Sequence, residues 1–260
     1  MRAGPIAARV SLCTFVIAAA VALAASLGTR FGFWNFGTGF RILIPAVSLG
    51  VVALLTGALW LALALRNNNS TGWRWGFAGL IGAAILLFFP ARVALRAYDA
   101  PPIHDISTDV GNAPSFIAVL PLRKGATNGP EYDGQKKVML KGKITTVAEL
   151  QKIAYPDIKP VGKLLNPHND PKVDSKAILF WHAFETAKRE GWDIVTFDEK
   201  SGRIEATDTT LWFGFTDDIS IRVIAAGTMG ARLDVRSKSR IGTSDYGRNA
   251  ARVMGYLKDL

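Results

Sequence analysis

Three charge-free apolar stretches, Val10 to Thr29, Ile42 to Leu65 and Trp75 to Ala91, divide the first 96 residues, with arginines at their flanks. At about 1.5 Å of rise per residue, helices through them reach roughly 25–36 Å, enough for a hydrocarbon core of about 30 Å. The pattern predicts three transmembrane helices, at about 10–29, 42–65 and 75–91, with Pro90 marking the exit of the third. The first stretch also has features of a signal peptide, because Arg2 and Arg9 precede it and Ala22-Leu23-Ala24 offers a small-residue cleavage site. Its length favours an uncleaved anchor. Either way the following domain is expected outside: an N-inside chain crossing three times and a cleaved chain crossing twice end on the same side.

Past Arg96 the pattern changes. Pro101-Pro102 marks an extended linker, since proline restricts the residue before it. Residues 110–144 show little periodicity and read as irregular surface, apart from a short apolar run at Phe116 to Leu120. Thr146 with Glu149 forms a capping-box pattern that opens a short helix to about Ile153. A longer helix is predicted from Ser175 to Glu190, with Asp174 as N-cap, Gly191 as stop, and Ala177, Phe180, Trp181, Phe184 and Ala187 on its core face. Four strands follow, Trp192 to Phe197, Arg203 to Asp208, Ile219 to Ala226 and Ala231 to Ser237, joined by turn-like links that favour antiparallel neighbours. A last helix is predicted from about Asp245 to Lys258. The expected architecture is an α-helical membrane anchor (1–96) plus an α+β soluble domain (97–260), its four-stranded, mostly antiparallel sheet flanked by helices.

Charge sharpens this division. The chain carries +10 over 260 residues, but residues 1–96 hold eight Arg, no Lys and no acid, so they account for +8 and the remainder for +2. Arginines at the flanks of apolar spans are not a patch that tracks phosphates, and nucleic-acid binding is excluded as a class. No Asp, Glu, Lys, Arg or His lies inside any predicted span, which argues against a channel or pump made by this chain alone. Small residues recur at helix-packing spacing in Ala18/Ala22, Ala20/Ala24 and Gly79/Ala83. The single cysteine, Cys13, cannot form an internal disulfide or a thiolate cage. Phosphate-loop, nucleophile-elbow and zinc-protease signatures are absent, and no cofactor or metal is expected.

Five segments in order, Pro101 to Asp109, Tyr155-Pro-Asp-Ile158, Gly202 to Thr207, Trp212 to Asp218 and Asp234 to Ala250, resemble the domain of unknown function 1499 family over roughly residues 100–260. The resemblance implies a bacterial-type envelope protein with membrane helices or an export signal, and it brings no catalytic residues with it. The expected location is the bacterial inner membrane, multi-pass, with the C-terminal domain periplasmic. The residues themselves offer two candidate centres. Arg236, Arg240 and Ser244, with Trp212 and Phe215 beside them, combine guanidinium groups, a hydroxyl and a helix start, a chemistry suited to an anionic lipid or an envelope protein partner. The competing class is a hydrolase with His104, Asp105 and Asp218 as its polar centre. For each there is a plain alternative: a hydrogen-bonded linker strand at His104-Asp105, and arginines paired with Asp208, Asp217 or Asp218. A non-enzymatic binding or scaffolding role, with the bilayer as one partner, is the favoured expectation.

Overall fold

The structure, a computed structural model, describes residues 3–140, 142–165, 168, 170, 173–227 and 229–260. The chain divides into two compact units, one holding the residues up to Leu95 together with Leu211–Gly214, the other Arg96–Thr210 and Phe215–Leu260.

The first unit is built on α1 (Ala3–Arg30), α2 (Phe36–Arg66) and α3 (Trp73–Asp99). All three helices are long and apolar enough to cross a membrane. Each outruns its charge-free stretch, because a helix that leaves the hydrocarbon can continue through arginines. Pro90 lies inside α3 rather than at its exit. A proline removes one backbone donor and bends a helix, which need not end there. Small residues let the backbones approach. Ser11 Oγ donates to the Ala53 carbonyl at 2.8 Å, and a Cβ on Gly57 or Gly79 would fall 2.8 or 2.3 Å from that same oxygen. Gly79 and Ala83 are buried as their spacing suggests, whereas Ala20 and Ala24 face outward.

The second unit contains, in chain order, β1 (Asp105–Ser107), β2 (Lys137–Leu140), β3 (Lys143–Thr146), α4 (Val147–Ala154), β4 (Val161–Leu164), α5 (Ser175–Arg189), β5 (Asp193–Asp198), β6 (Arg203–Thr209), β7 (Thr216–Ala226), β8 (Gly230–Ser239) and α6 (Arg248–Asp259). The α+β class and the antiparallel pairing follow the sequence pattern, but the sheet is larger than four strands. It has six, in the order β1-β8-β7-β6-β5 with β4 also paired to β8, and β2 and β3 form a separate hairpin. Strands of three or four residues are too short for an alternation to register, so β1 and β4 escape a pattern reading. The stretch read as irregular, 110–144, contains β2 and the start of β3.

Alternation along the long strands sorts the residues onto two faces. Ile204, Ala206, Ile219, Ile221, Val223, Ala231, Leu233 and Val235 are fully buried and form the core with α5 and α6. Trp192 stacks on Tyr256, whose hydroxyl donates to the Ala183 carbonyl at 2.8 Å. Asp174 caps α5 as its sequence suggests, and Thr146 and Glu149 form the capping box of α4. The core face of α5 is rotated from the expected one. Leu179, Phe180, Ala183 and Ala187 are buried, while Trp181 is 44% exposed and donates to Glu199. The start of α6 also shifts, because Tyr246 (φ 55°) and Gly247 (φ 78°) are left-handed and cannot lie in a right-handed helix. Asp245 precedes the helix and accepts from the backbone N–H groups of Gly247 and Asn249.

Candidate functional site

The second face of the sheet is charged and buried. On β8 every second residue from Arg232 carries charge: Arg232, Asp234, Arg236 and Lys238, with Arg240 just beyond the strand. Register places Asp218 of β7 and Asp105 of β1 on either side of Lys238, and Ser220 and Ser107 on either side of Arg236. The irregular segment 109–135 lies over this face and supplies backbone carbonyls and amides to it.

The centre of the network is Asp105, which is fully buried. It accepts from Arg236 Nε and Nη2, both at 2.9 Å, and from the Asp133 backbone N–H at 3.0 Å, with Lys238 Nζ at 3.2 Å. Arg236 also donates to the carbonyls of Pro114, Pro130 and Glu131, and its guanidinium lies over the Phe116 ring. Lys238 donates to the Glu131 carbonyl at 2.6 Å and pairs with Asp133 at 2.9 Å. One strand away, Asp218 is held by Arg240 and Arg123, which in turn donate to the carbonyls of Leu122 and Asn128. Glu205 accepts the backbone N–H groups of Ile117 and Val119. A buried ion pair of this kind adds little net stability over apolar packing, because desolvation consumes most of the attraction. Here it ties an irregular segment to a regular sheet, with charge-assisted bonds to carbonyls that would otherwise be buried unpaired.

On the opposite face a smaller group surrounds the start of α6. Arg252 donates to Asp208, Asp217 and the hydroxyl of Ser237, and Asn249 links Ser237, Ser239 and the His104 carbonyl. Burial pushes the Asp208 carboxyl up, but Arg252 and Arg248 outweigh it and hold it below its usual range. In Asp245 burial prevails and raises the carboxyl.

At one end of the charged face a cavity of about 240 Å³ opens between β1 and the β2–β3 hairpin, lined by Ile103, His104, Asp133, Lys136, Val138 and Met139 among others. His104 is 6% exposed. Its Nδ1 lies 3.2 Å from the Thr243 carbonyl, which can only accept, so this nitrogen carries a proton. Its Nε2 sits 3.1 Å from Asp133 Oδ2 but off the line a hydrogen bond needs, and it has no hydrogen-bond partner. Burial raises the Asp133 carboxyl, yet the Lys238 hydrogen bond and charge, with His104 and Lys136, bring it below its usual value. Among the described residues no group of three His, Cys, Asp or Glu side chains could hold a metal ion. The one His–carboxylate pair at the cavity shares its oxygen with the Lys238 ammonium, which opposes a cation there.

Of the residues singled out from sequence, His104 and Asp105 line this cavity together, and Asp218 does not. Asp218 stands two strands from Asp105, roughly 10 Å at a strand spacing of about 4.8 Å. Arg236 and Arg240 bind different carboxylates rather than facing one concavity. Ser244 accepts the Tyr246 N–H and donates to the Pro101 carbonyl, a local role at the turn. Trp212 is half exposed and falls with the first unit, while half-buried Phe215 falls with the second. His182 is exposed beside the C-terminal Leu260 carbonyl, and the loop of His168 lies partly outside the described residues. Lys238, Asp133 and Arg123 went unremarked in the sequence. The alternating charges of 232–240 were the available signal for Lys238; Asp133 and Arg123 lie in a segment without periodicity and carry none.

Residues 132–260 match the model of the family described as "Protein of unknown function (DUF1499)". The match includes Asp133, Lys136, Lys238 and the whole long-stranded part of the sheet, and it begins after His104, Asp105 and Arg123. No curated protein matches the chain.

Proposed function

We infer that this chain, whose C-terminal domain belongs to that family, is a membrane-anchored envelope protein that works by binding rather than by catalysis. Its three apolar helices would hold it in the bacterial inner membrane, and its soluble domain would bind an envelope ligand on the periplasmic side. The observation that carries the binding reading is the mutual pairing of charges in the soluble domain. Asp105, Asp218, Glu205, Asp208 and Asp217 all face arginine, lysine or backbone N–H partners, which suits a rigid scaffold around a cavity. General acid–base work calls instead for a carboxyl poised near the operating pH and within reach of a substrate. The proposed location supposes an N-inside chain, which after three crossings would end outside.

Reporter fusions after Arg96 and after Leu260 test the placement. An export-dependent reporter, active only outside the cytoplasm, should be active at both positions, and resistance of the protein to carbonate extraction should accompany it. Activity of a cytoplasm-only reporter at either position overturns the topology, and release by carbonate overturns the anchor.

A further inference from the structure

We propose, resting on the binding reading above, that the cavity between β1 and the β2–β3 hairpin holds one short acyl chain with an anionic head, the chain against Ile103, Val138, Met139 and Val147 and the head toward Lys136. Size, wall chemistry and charge point the same way.

The cavity, at about 240 Å³, has room for about eight groups the size of a water or a methylene, at roughly 30 Å³ each. Its wall is mainly aliphatic, with Pro102, Ile103, Val138, Met139 and Val147 meeting in it. Such a wall offers a chain of methylenes dispersion contact and removal from water, and offers a multiply polar metabolite few partners. Met139 is 69% exposed at the hairpin, so an entering chain need not displace a packed core.

Charge decides the head. Two acids line the cavity, and both are already met by cations: Asp105 by Arg236 and Lys238, Asp133 by Lys238. Lys136 also lines it, is exposed, and among the described residues makes no ion pair. The uncompensated charge at the cavity is therefore positive, which favours a carboxylate or phosphate over an amine. An anionic head of this kind belongs equally to a free short-chain acid and to an anionic lipid, and the test below separates them.

The full-length protein in zwitterionic phosphatidylcholine nanodiscs is titrated with radiolabelled octanoate by equilibrium dialysis, with empty nanodiscs as the partition control. One saturable site is expected. At about fourfold in affinity per buried methylene, hexanoate should bind roughly fifteenfold more weakly. Decanoate should bind no more tightly than octanoate, because the cavity is then full. Octylamine, with the same chain and the opposite charge, should not compete. Lys136→Glu, at an exposed position that leaves the core intact, should weaken octanoate by about tenfold or more. Val147→Trp should fill the cavity and abolish binding. Mass spectrometry of an organic extract of the purified protein identifies the natural source: a free acid or an anionic glycerolipid at about one per chain each supports the proposal and names its origin. Octanoate uptake equal to that of empty nanodiscs, or an affinity unchanged in Lys136→Glu, overturns it. Either result leaves the membrane anchor standing, since that is read by extraction and reporter fusions.

Discussion

Replacing Asp105 with asparagine keeps the shape of the side chain and removes one charge from the centre of the buried network. The change leaves Arg236 and Lys238, with side chains 2% and 0% exposed, facing a neutral amide. Part of that amide is a donor, so at least one of four contacts turns repulsive: Arg236 Nε and Nη2, Lys238 Nζ and the Asp133 N–H all approach as donors. Breaking a buried pair by removing one partner costs about 3–5 kcal/mol, mostly as uncompensated charge. Against a total stability of about 5–15 kcal/mol, this is a large fraction, and at roughly 2–4 °C per kcal/mol for a domain of this size the melting temperature should fall by roughly 6–20 °C. The measurement is a urea titration of the full-length protein in nanodiscs, followed by near-ultraviolet circular dichroism, to which the Trp192–Tyr256 stack contributes. A companion variant separates charge from shape. Asp105→Glu, which lengthens the side chain but keeps a counter-ion for Arg236 and Lys238, should cost less than Asp105→Asn. A loss below about 1 kcal/mol in Asp105→Asn would refute the assignment of Asp105 as the hub.

Two further outcomes follow from the geometry. Gly202 has φ +69°, and a Cβ there would fall 2.0 Å from the Val223 carbonyl oxygen, so Gly202→Ala should cost about 2 kcal/mol or more; Gly125→Ala, at φ +85° with nothing within 4 Å, should cost only about 1 kcal/mol of backbone strain; equal losses in urea titrations would remove the steric argument. Asp109, Asp133 and Asp208 feel burial first, which raises them, but hydrogen bonds and arginine or lysine charges prevail and hold all three below the usual carboxylate value. Their folded forms therefore bind fewer protons than the unfolded chain. The stability they contribute is present above about pH 4 and is lost as pH falls through their folded values. Asp245, raised by burial, acts with the opposite sign. Asp208→Asn should make the acid limb of stability against pH shallower, and an unchanged limb would show that Arg252 and Arg248 do not hold Asp208 in solution.

Legibility differed by element for physical reasons. The caps at Thr146 and Asp174 and the long strands were readable because capping and alternation are local patterns written in a few adjacent residues. The phase of α5 was not. Trp181 looks like core by hydropathy, but Phe184 and Phe197 with the Glu199 carboxylate accommodate it at the surface, leaving Leu179 and Ala183 to face the sheet. Arg236 and Arg240 drew attention as a dense polar cluster, and the density was real. Which acids they meet depended on strand register, and β1, which carries Asp105, is only three residues long.

By itself the sequence determined where this protein can lie and of what kind its two parts are. Runs of apolar residues long enough to span a bilayer, and the abrupt arrival of acids and lysines after Arg96, are one-dimensional facts set by transfer free energy and chain length. The tertiary structure decided what the charges are for. Arg232 to Arg240 alternate in a row that in isolation looks solvated, and only the segment 109–135 folding over that row, with Asp105 and Asp133 brought to Lys238 from distant positions, turns it into a buried network beside a cavity. Burial and ion pairing join residues far apart in the chain, so no local pattern encodes them.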